Sequence, residues 1–323
     1  MAHLINLDSY RNRANMAYVG EVPWHGLGQR LTEDAPLEVW AAEAGFKHTI
    51  ESSFVEYKID DHSTRVNTDR RVLWHSETKI PLGVVSNRYH VVQPMEVLEF
   101  YRDLVEASGE FQLETAGILD DGQRYWALAK HERTLNFGAD SVKPYLLLAT
   151  SCDGTMATQA KFTSVRTVCN NTLQAGLREK SDAAIAIRHN RILDPIEVKR
   201  QLNISTVVQD MEADFEMLIN KSIGDQTAMD IFVALTAKEN NSGMITNKDS
   251  VERISRELYR SLKSSPGANL ETAQGTAWGV MNAVSHYVDH KARSHSENNR
   301  FKSAQMGSGA SMKAKAFQLL IAA

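Results

Sequence analysis

The chain has 323 residues, of which 42% are hydrophobic and 24% charged, and its formal net charge is −4. This composition predicts a folded protein of about two domains, and it excludes a uniformly basic protein that coats duplex DNA. A local basic groove remains compatible with these values, because nucleic-acid binding needs positive potential only where the ligand lies.

Cysteine use and apolar runs limit the class further. Cys152 and Cys169 are the only cysteines, and no CxxC pair is present. We therefore expect buried thiols in a reducing compartment, with no disulfide framework and no zinc site. Because no apolar run approaches the ~20 residues that cross a bilayer, we expect a cytoplasmic protein without a membrane partner.

The N-terminal half has the pattern of a β-rich domain. Residues 1–35 are irregular and contain the Trp24–His25 motif between Pro23 and Gly26. A short helix is predicted over 36–45, strands over 48–92 and a second helix over 95–107. Asp-Gly pairs at 121–122 and 153–154 each separate two apolar runs, which predicts two β-hairpins over 111–133 and 145–168.

The pattern becomes helical after about residue 170. We expect a helix to start over 172–177, and one long amphipathic helix over about 195–238. Further helices are predicted over 248–263 and 270–295, and a turn at 307–311 precedes a final helix. The fold class is therefore α+β, with antiparallel β-hairpins and packed helices followed by a mainly helical C-terminal half. The expected division is an arm (1–35), an α+β domain (36–193) and a helical region (194–323).

The motifs of the common enzyme classes are missing. There is no Walker motif and no GxSxG elbow. His286 and His290 share a helix face four residues apart, as in HExxH metal helices, but Tyr287 stands where the glutamate belongs. We therefore predict no catalytic residue, no metal and no cofactor, and favour a binding protein over an enzyme. A third hypothesis, a metal-dependent nuclease or hydrolase, rests on scattered Asp and His pairs.

Charge is distributed unevenly along the chain. Residues 156–200 carry eight basic against four acidic side chains (net +4), whereas residues 201–232 carry one against six (net −5). One interpretation is ion pairing within the protein or between subunits. The other is a groove for a phosphate backbone. Its predicted contacts are Lys161, Arg166, Arg178, Lys180, Arg188 and Arg191.

A nucleic-acid site also needs aromatic side chains, because bases stack on them. Most are expected in the core. Arg88-Tyr89-His90 is the best candidate, since an aromatic ring lies between two potential cations at a strand edge. The other aromatic residues considered are Trp24, Trp74, Tyr125 and Trp126.

Three runs give the chain a family resemblance. Residues 22–28 (VPWHGLG), 85–94 (VSNRYHVVQP) and 163–173 (TSVRTVCNNTL) resemble a phage/plasmid-like protein family that has carried a domain-of-unknown-function label. The resemblance spans about residues 18–320 and implies an origin in phages, plasmids and laterally transferred islands. It brings no catalytic residues with it.

Mobile-element context favours DNA transactions. We expect a homo-oligomeric, single-stranded DNA-binding protein that acts in ATP-independent strand annealing during recombination. The alternative is a host-interaction protein that inhibits a host or defence factor without binding nucleic acid, which suits the acidic net charge.

Overall fold

Contacts divide the chain into two units. The computed structural model describes residues 7–8, 13–20, 28–168, 171–174, 184–187, 204–238, 240, 244–295 and 297–323. The first unit takes its described residues from 1–132, 146–161 and 184–203, and the second from 133–145, 162–183 and 204–323. The second unit therefore combines the helical region with two earlier segments, and the expected domain boundary at residue 194 stays a prediction.

The first unit contains most of the strands and two helices. In chain order its elements are β1 (Leu7–Asp8), β2 (Arg13–Ala14), β3 (Met16–Val19), β4 (Gln29–Leu31), α1 (Leu37–Ala44), β5 (Ile50–Lys58), β6 (Thr64–His75), β7 (Pro81–Ser86), α2 (Pro94–Ser108), β8 (Phe111–Leu119) and β9 (Arg124–His131). Strands β5, β6 and β7 form a separate three-stranded antiparallel sheet, whereas β4, β3, β8 and β9 are neighbours in the large sheet.

Local sequence explains where the helices of this unit begin and end. Gly45 ends α1 in the left-handed conformation, with φ of 88°. Helix α2 begins with a capping box in which Gln93 and Glu96 satisfy each other's backbone N–H groups, and Pro94 occupies the first turn. The predicted hairpin over 111–133 is confirmed as β8 and β9, joined by a 3₁₀ turn at Asp120–Gly122.

The remaining elements lie wholly or partly in the second unit. They are β10 (Leu135–Phe137), β11 (Asp140–Ser151), β12 (Thr158–Arg166), β13 (Asn171–Gln174), β14 (Ala184–Ile187), α3 (Ile204–Asn220), α4 (Asp225–Thr236), α5 (Lys248–Ser264), α6 (Ala277–His286), a π-helical turn (Tyr287–Lys291), α7 (Glu297–Met306) and α8 (Ser308–Ala322). Strands β11 and β12 contribute residues to both units, and β14 belongs to the first. Apart from the parallel pair β3–β4, every strand pair with a described register is antiparallel, which agrees with the predicted α+β class.

Three helix predictions are corrected. Residues 171–174 form strand β13, because they continue the sheet beside the end of β12. The long helix expected to 238 is broken between α3 and α4, where Ser222 forms a β-bridge with Thr276. The next helix, expected from about residue 270, begins only at Ala277. The hydroxyl of the same Thr276 caps it by accepting a hydrogen bond from the Gly279 amide at the N-terminus of α6.

The three-stranded sheet is open on one face and is covered on the other at the end that holds Ile50, Leu73 and Val85. Leu73, Val85 and Ile50 point to the covered face and are at most 4% exposed. Gly83 lies on the same face, where a Cβ atom would come within 2.9 Å of the Asp153 backbone. Loop 152–157 is therefore packed directly against this sheet within the first unit.

No helix among the described residues is long and apolar enough to cross a membrane.

Candidate nucleic-acid interface

Arg166 is a buried structural group. Its side chain is 0% exposed, and its Nε and Nη2 atoms lie 2.9 and 2.6 Å from Asp140 Oδ2. The same carboxylate accepts hydrogen bonds from the Trp278 indole (2.9 Å) and the Thr272 hydroxyl (3.1 Å). Because no part of the guanidinium reaches solvent, we withdraw Arg166 from the predicted phosphate contacts.

The other members of the predicted groove divide into two groups. Lys161 is only 8% exposed and belongs to the buried part of β12. Arg178, Lys180, Arg188 and Arg191 lie outside the described residues, so their part in a basic groove stays a prediction. The described part of the basic segment therefore offers no open cationic surface.

The Arg88-Tyr89 pair is divided between surface and interior. Arg88 is exposed just after β7. Tyr89 is half-buried, its hydroxyl donates to the Ser151 carbonyl at 3.1 Å, and burial raises its pKa above the usual range. Tyr89 thus anchors this turn to β11, whereas Arg88 remains available to a ligand.

Arg88 stands at one end of an open sheet surface, which we call the outer face. Directly opposed residues of antiparallel strands share a face, and neighbours along a regular strand alternate. The pairing of β6 is irregular between residues 67 and 71, so its outer-face residues are odd-numbered before this irregularity and even-numbered after it. Tyr57 opposes Arg65, Ser53 opposes Val72, Val72 opposes Val84, and Arg70 opposes Ser86. The outer face consists of Glu51, Ser53, Val55, Tyr57, Arg65, Asn67, Arg70, Val72, Trp74, Val84 and Ser86.

No residue of the outer face is buried. Tyr57 is 49% and Val84 58% exposed. Of the nine large hydrophobic side chains exposed among the described residues, six belong to this sheet and its turns. They are Phe54, Tyr57, Ile59, Val66, Ile80 and Val84. Tyr57 and Val84 are the two that lie on the outer face, and exposed apolar side chains on one sheet face are a mark of an interaction surface.

The arginines of this sheet are not neutralised by carboxylates. Within the described residues, Arg65, Arg70, Arg71 and Arg88 make no ion pair, and the Arg71 guanidinium donates to the Asn87 carbonyl at 2.7 Å. Arg124 in the same unit is, by contrast, neutralised, because its guanidinium forms an ion pair with Asp120 at 2.8 Å. Arg65, Arg70 and Arg88 are exposed and are therefore available for an anionic ligand, whereas Arg71 is only partly exposed and opposes Val85.

Trp74 combines an aromatic surface with a cation. Its indole N–H donates to the Ser53 hydroxyl at 3.2 Å, which holds the ring along the outer face. Lys79 Nζ lies 4.7 Å from the ring centroid, within cation–π distance. Lys79 itself has a φ of 61°, a left-handed conformation that is uncommon outside glycine and asparagine.

Tyr57 and Trp74 lie at opposite ends of the outer face. Trp74 opposes Glu51, which is six residues along β5 from Tyr57. At about 3.3 Å per residue, the two aromatic positions are about 20 Å apart. Glu51 is the acidic member of the face, and Thr49 donates a hydrogen bond to it at 3.1 Å. The surface can therefore hold an extended chain with stacking positions near both ends.

Two stacked imidazoles support the covered face. The rings of His48 and His75 lie 3.7 Å apart, and His48 Nε2 is 2.8 Å from the Tyr125 hydroxyl. Burial lowers the pKa of His48 to about 4 and also lowers that of His75. Cys152 is buried nearby and donates to the Gly122 carbonyl at 3.3 Å, and burial raises its pKa to about 12. These groups are uncharged at neutral pH, and Cys152 is the buried thiol that the sequence predicted.

The histidine helix of the second unit is arranged around an ion pair. The Lys313 ammonium donates to Asp289 at 2.5 Å, and the rings of His286 and His290 lie 4.9 Å apart. Within the described ranges, no group of three His, Cys, Asp or Glu side chains is placed to hold a metal ion. Asp289 is thereby engaged by a cation of the protein itself.

Sequence analysis identified some of these residues as candidates and did not identify others. Trp74 was among the aromatic candidates, whereas Tyr125 and Trp126 are buried as core residues and Trp24 lies outside the described residues. Tyr57, Arg65 and Arg70 were not singled out. Alternation along β5 puts Tyr57 on this face, but Arg65 and Arg70 share it only because the pairing of β6 is irregular between residues 67 and 71, which the sequence does not show.

Comparison with known proteins gives a family and no activity. Residues 81–306, more than half of the chain, match the family model described as a domain of unknown function (DUF932). Neither a curated protein nor a solved structure matches.

Proposed function

The chain belongs to the DUF932 family, and we propose that it binds single-stranded nucleic acid on the outer face of the β5–β7 sheet. The observation that carries this proposal is the combination, on one uncovered face, of the exposed Tyr57 ring and the partly exposed Trp74 ring with arginines that form no ion pair among the described residues. Sheet faces of this composition suit single strands, because unpaired bases stack on the rings while the cations contact phosphates.

The residues have separate parts in binding. Tyr57 and Trp74 each offer a ring to one base, and such stacking is worth about 1–3 kcal/mol per base. Arg65, Arg70 and Arg88 contact the backbone and contribute the salt-dependent share of the affinity. A duplex cannot use the rings, since its bases are already stacked and paired. The surface therefore favours single strands.

We further propose that the strand is DNA of a mobile element and that the protein anneals complementary strands without ATP. The support is the phage/plasmid-like resemblance of residues 22–28, 85–94 and 163–173, together with the missing nucleotide-binding motifs. Annealing requires a strand to be held with its Watson–Crick edges accessible. Stacking on an open sheet face leaves those edges free.

Binding of labelled single- and double-stranded oligonucleotides, measured by fluorescence anisotropy at low and physiological salt, tests the proposal. Tyr57→Ala is expected to weaken single-strand binding by roughly 5- to 150-fold, the equivalent of about 1–3 kcal/mol. The matched control is Phe54→Ala, because Phe54 is also 49% exposed but points to the opposite face of β5. Phe54→Ala should bind within about twofold of the wild type.

The charged contacts have their own control. Arg65→Gln and Arg70→Gln should each reduce the salt slope of log K by about 0.7. Arg256→Gln, an exposed arginine of the second unit, should not. Wild-type affinity in Tyr57→Ala, Arg65→Gln and Arg70→Gln would refute the outer face as the binding site. A wild-type protein that binds no oligonucleotide would refute the function and favour a host protein as partner.

A further inference from the structure

The free edge of β5 is a second open surface of the first unit, and it consists of backbone groups. Strand β5 is the first strand of the three-stranded sheet and pairs only with β6 among the described strands. An edge strand with unpaired N–H and C=O groups is a template for another strand, and proteins usually cover or block it.

Hydrogen bonds at its two ends show which residues face this edge. Both backbone groups of Ile50 bond the Gln93 carboxamide, at 2.8 and 3.0 Å, and so point away from β6. Thr49 and Ile59 instead bond the β6 side, through Ser76 and Ser63. Since backbone direction alternates along a strand, the even-numbered residues of β5 point outward.

One end of the edge is already closed. The Gln93 carboxamide occupies the place where a partner strand would pair with Ile50, and Gln93 is itself fixed by the capping box of α2. The outward N–H and C=O groups that make no hydrogen bond within the described chain are those of Ser52, Phe54, Glu56 and Lys58. The free edge therefore runs over residues 52–58 and has Val55 at its midpoint.

We infer that two copies of the chain pair through this edge, with antiparallel β5 strands related by a twofold axis at Val55. In this register Ser52 pairs with Lys58 of the second copy and Phe54 with its Glu56. Each of the four pairs exchanges two N–H···O bonds, so the interface uses every free backbone group of the edge.

The neighbouring registers are excluded by the same residues. A register centred on Phe54 would put Lys58 of one copy against Ile50 of the other, where Gln93 already lies. A register centred on Glu56 would oppose two Glu56 carboxylates, which is destabilising. The Val55 register opposes no like charges and puts two β-branched Val55 side chains across from each other.

The second copy is favoured over a foreign strand by symmetry. The free edge is bounded by Gln93 at one end and by the turn after Lys58 at the other, so the chain offers itself a strand of matching length. A twofold pairing also gives a closed dimer that cannot add further copies through β5, because each copy uses its single open β5 edge. With the axis perpendicular to the sheet, the two outer faces lie on the same side. The inference rests on the backbone edge and is independent of nucleic-acid binding.

Disulfide cross-linking tests the register in a Cys169→Ser background. The two Val55 Cα atoms would be about 4.5 Å apart, within disulfide range, so Val55→Cys should form a covalent dimer under mild oxidation. Ser53→Cys is the control on the same strand and face. Its symmetry mate would lie about 13 Å away, so it should stay uncross-linked. Adding Tyr57→Cys to Ser53→Cys should restore cross-linking, because residue 53 opposes residue 57.

A proline variant tests the pairing without cysteine chemistry. Phe54→Pro removes an outward N–H but no hydrogen bond to β6, so the protein should fold and sediment at the mass of one chain, with an unchanged circular dichroism spectrum. The wild type should sediment at twice the chain mass. A monomeric wild type, equal cross-linking of Val55→Cys and Ser53→Cys, or a dimeric Phe54→Pro protein would overturn the inference.

Discussion

Lowering the pH should destabilise the first unit through His48. The side chain is 5% exposed, and its two ring nitrogens lie 3.0 Å from the Gly45 carbonyl and 2.8 Å from the Tyr125 hydroxyl. Because a carbonyl only accepts, Nδ1 carries the proton and Nε2 accepts from Tyr125. A second proton would have to break that contact while the charge is buried beside His75.

The size of the effect follows from linkage. The pKa of His48 is lowered from 6.5 to about 4, so the unfolded chain binds a proton that the folded chain does not between these values. The free energy of unfolding therefore falls as the pH falls through this window. The loss is about 2 kcal/mol between pH 8 and pH 5, and approaches about 3 kcal/mol below pH 4.

Urea unfolding at pH 8 and pH 5 measures this loss. His48→Gln keeps an amide that can donate to Gly45 and removes the titration, so the wild type should lose about 2 kcal/mol more than this variant. His62→Gln, in the exposed β5–β6 turn, should keep the wild-type loss. If the wild type and His48→Gln lose the same free energy, His48 does not titrate as a buried neutral group and the explanation fails.

Two further predictions concern a buried and an exposed cation. Asp140→Asn should lower the free energy of unfolding by about 3–5 kcal/mol, because Arg166 would keep its buried charge without a counter-charge. Thermal unfolding checks this, and Asp225→Asn in an exposed pair with a lysine is the control expected to change stability far less. Lys79→Asn should keep the β6–β7 turn, because Asn tolerates the left-handed conformation, while weakening single-strand binding beside Trp74. Equal affinity of Lys79→Asn and wild type in the anisotropy assay would exclude Lys79 from the interface.

The features that the sequence predicted correctly depend on local chemistry. The Asp-Asp-Gly run at 120–122 contains the residues that tolerate positive φ, and all three adopt it between β8 and β9. The end of α1 at Gly45 and the start of α2 at Pro94 are equally local. In each case the residues that set the conformation are neighbours in the chain.

The features that the sequence missed depend on distant partners. The break between α3 and α4 contains no proline and arises from the bridge between Ser222 and Thr276. Arg166 appeared to be a surface cation, because nothing in the sequence connects it with Asp140, 26 residues earlier. The β5–β6 alternation predicted strands, but only the structure shows which face is left uncovered around Tyr57.

Photo-cross-linking of a bromodeoxyuridine-substituted single strand to the wild-type protein, followed by peptide mapping, tests the proposed interface most directly. The outer-face proposal predicts adducts within residues 50–90, at Tyr57 or Trp74. It also predicts that these adducts are lost when an unlabelled single strand competes at the same salt concentration. Adducts confined to residues 156–200, with none in 50–90, would contradict it and return binding to that basic segment.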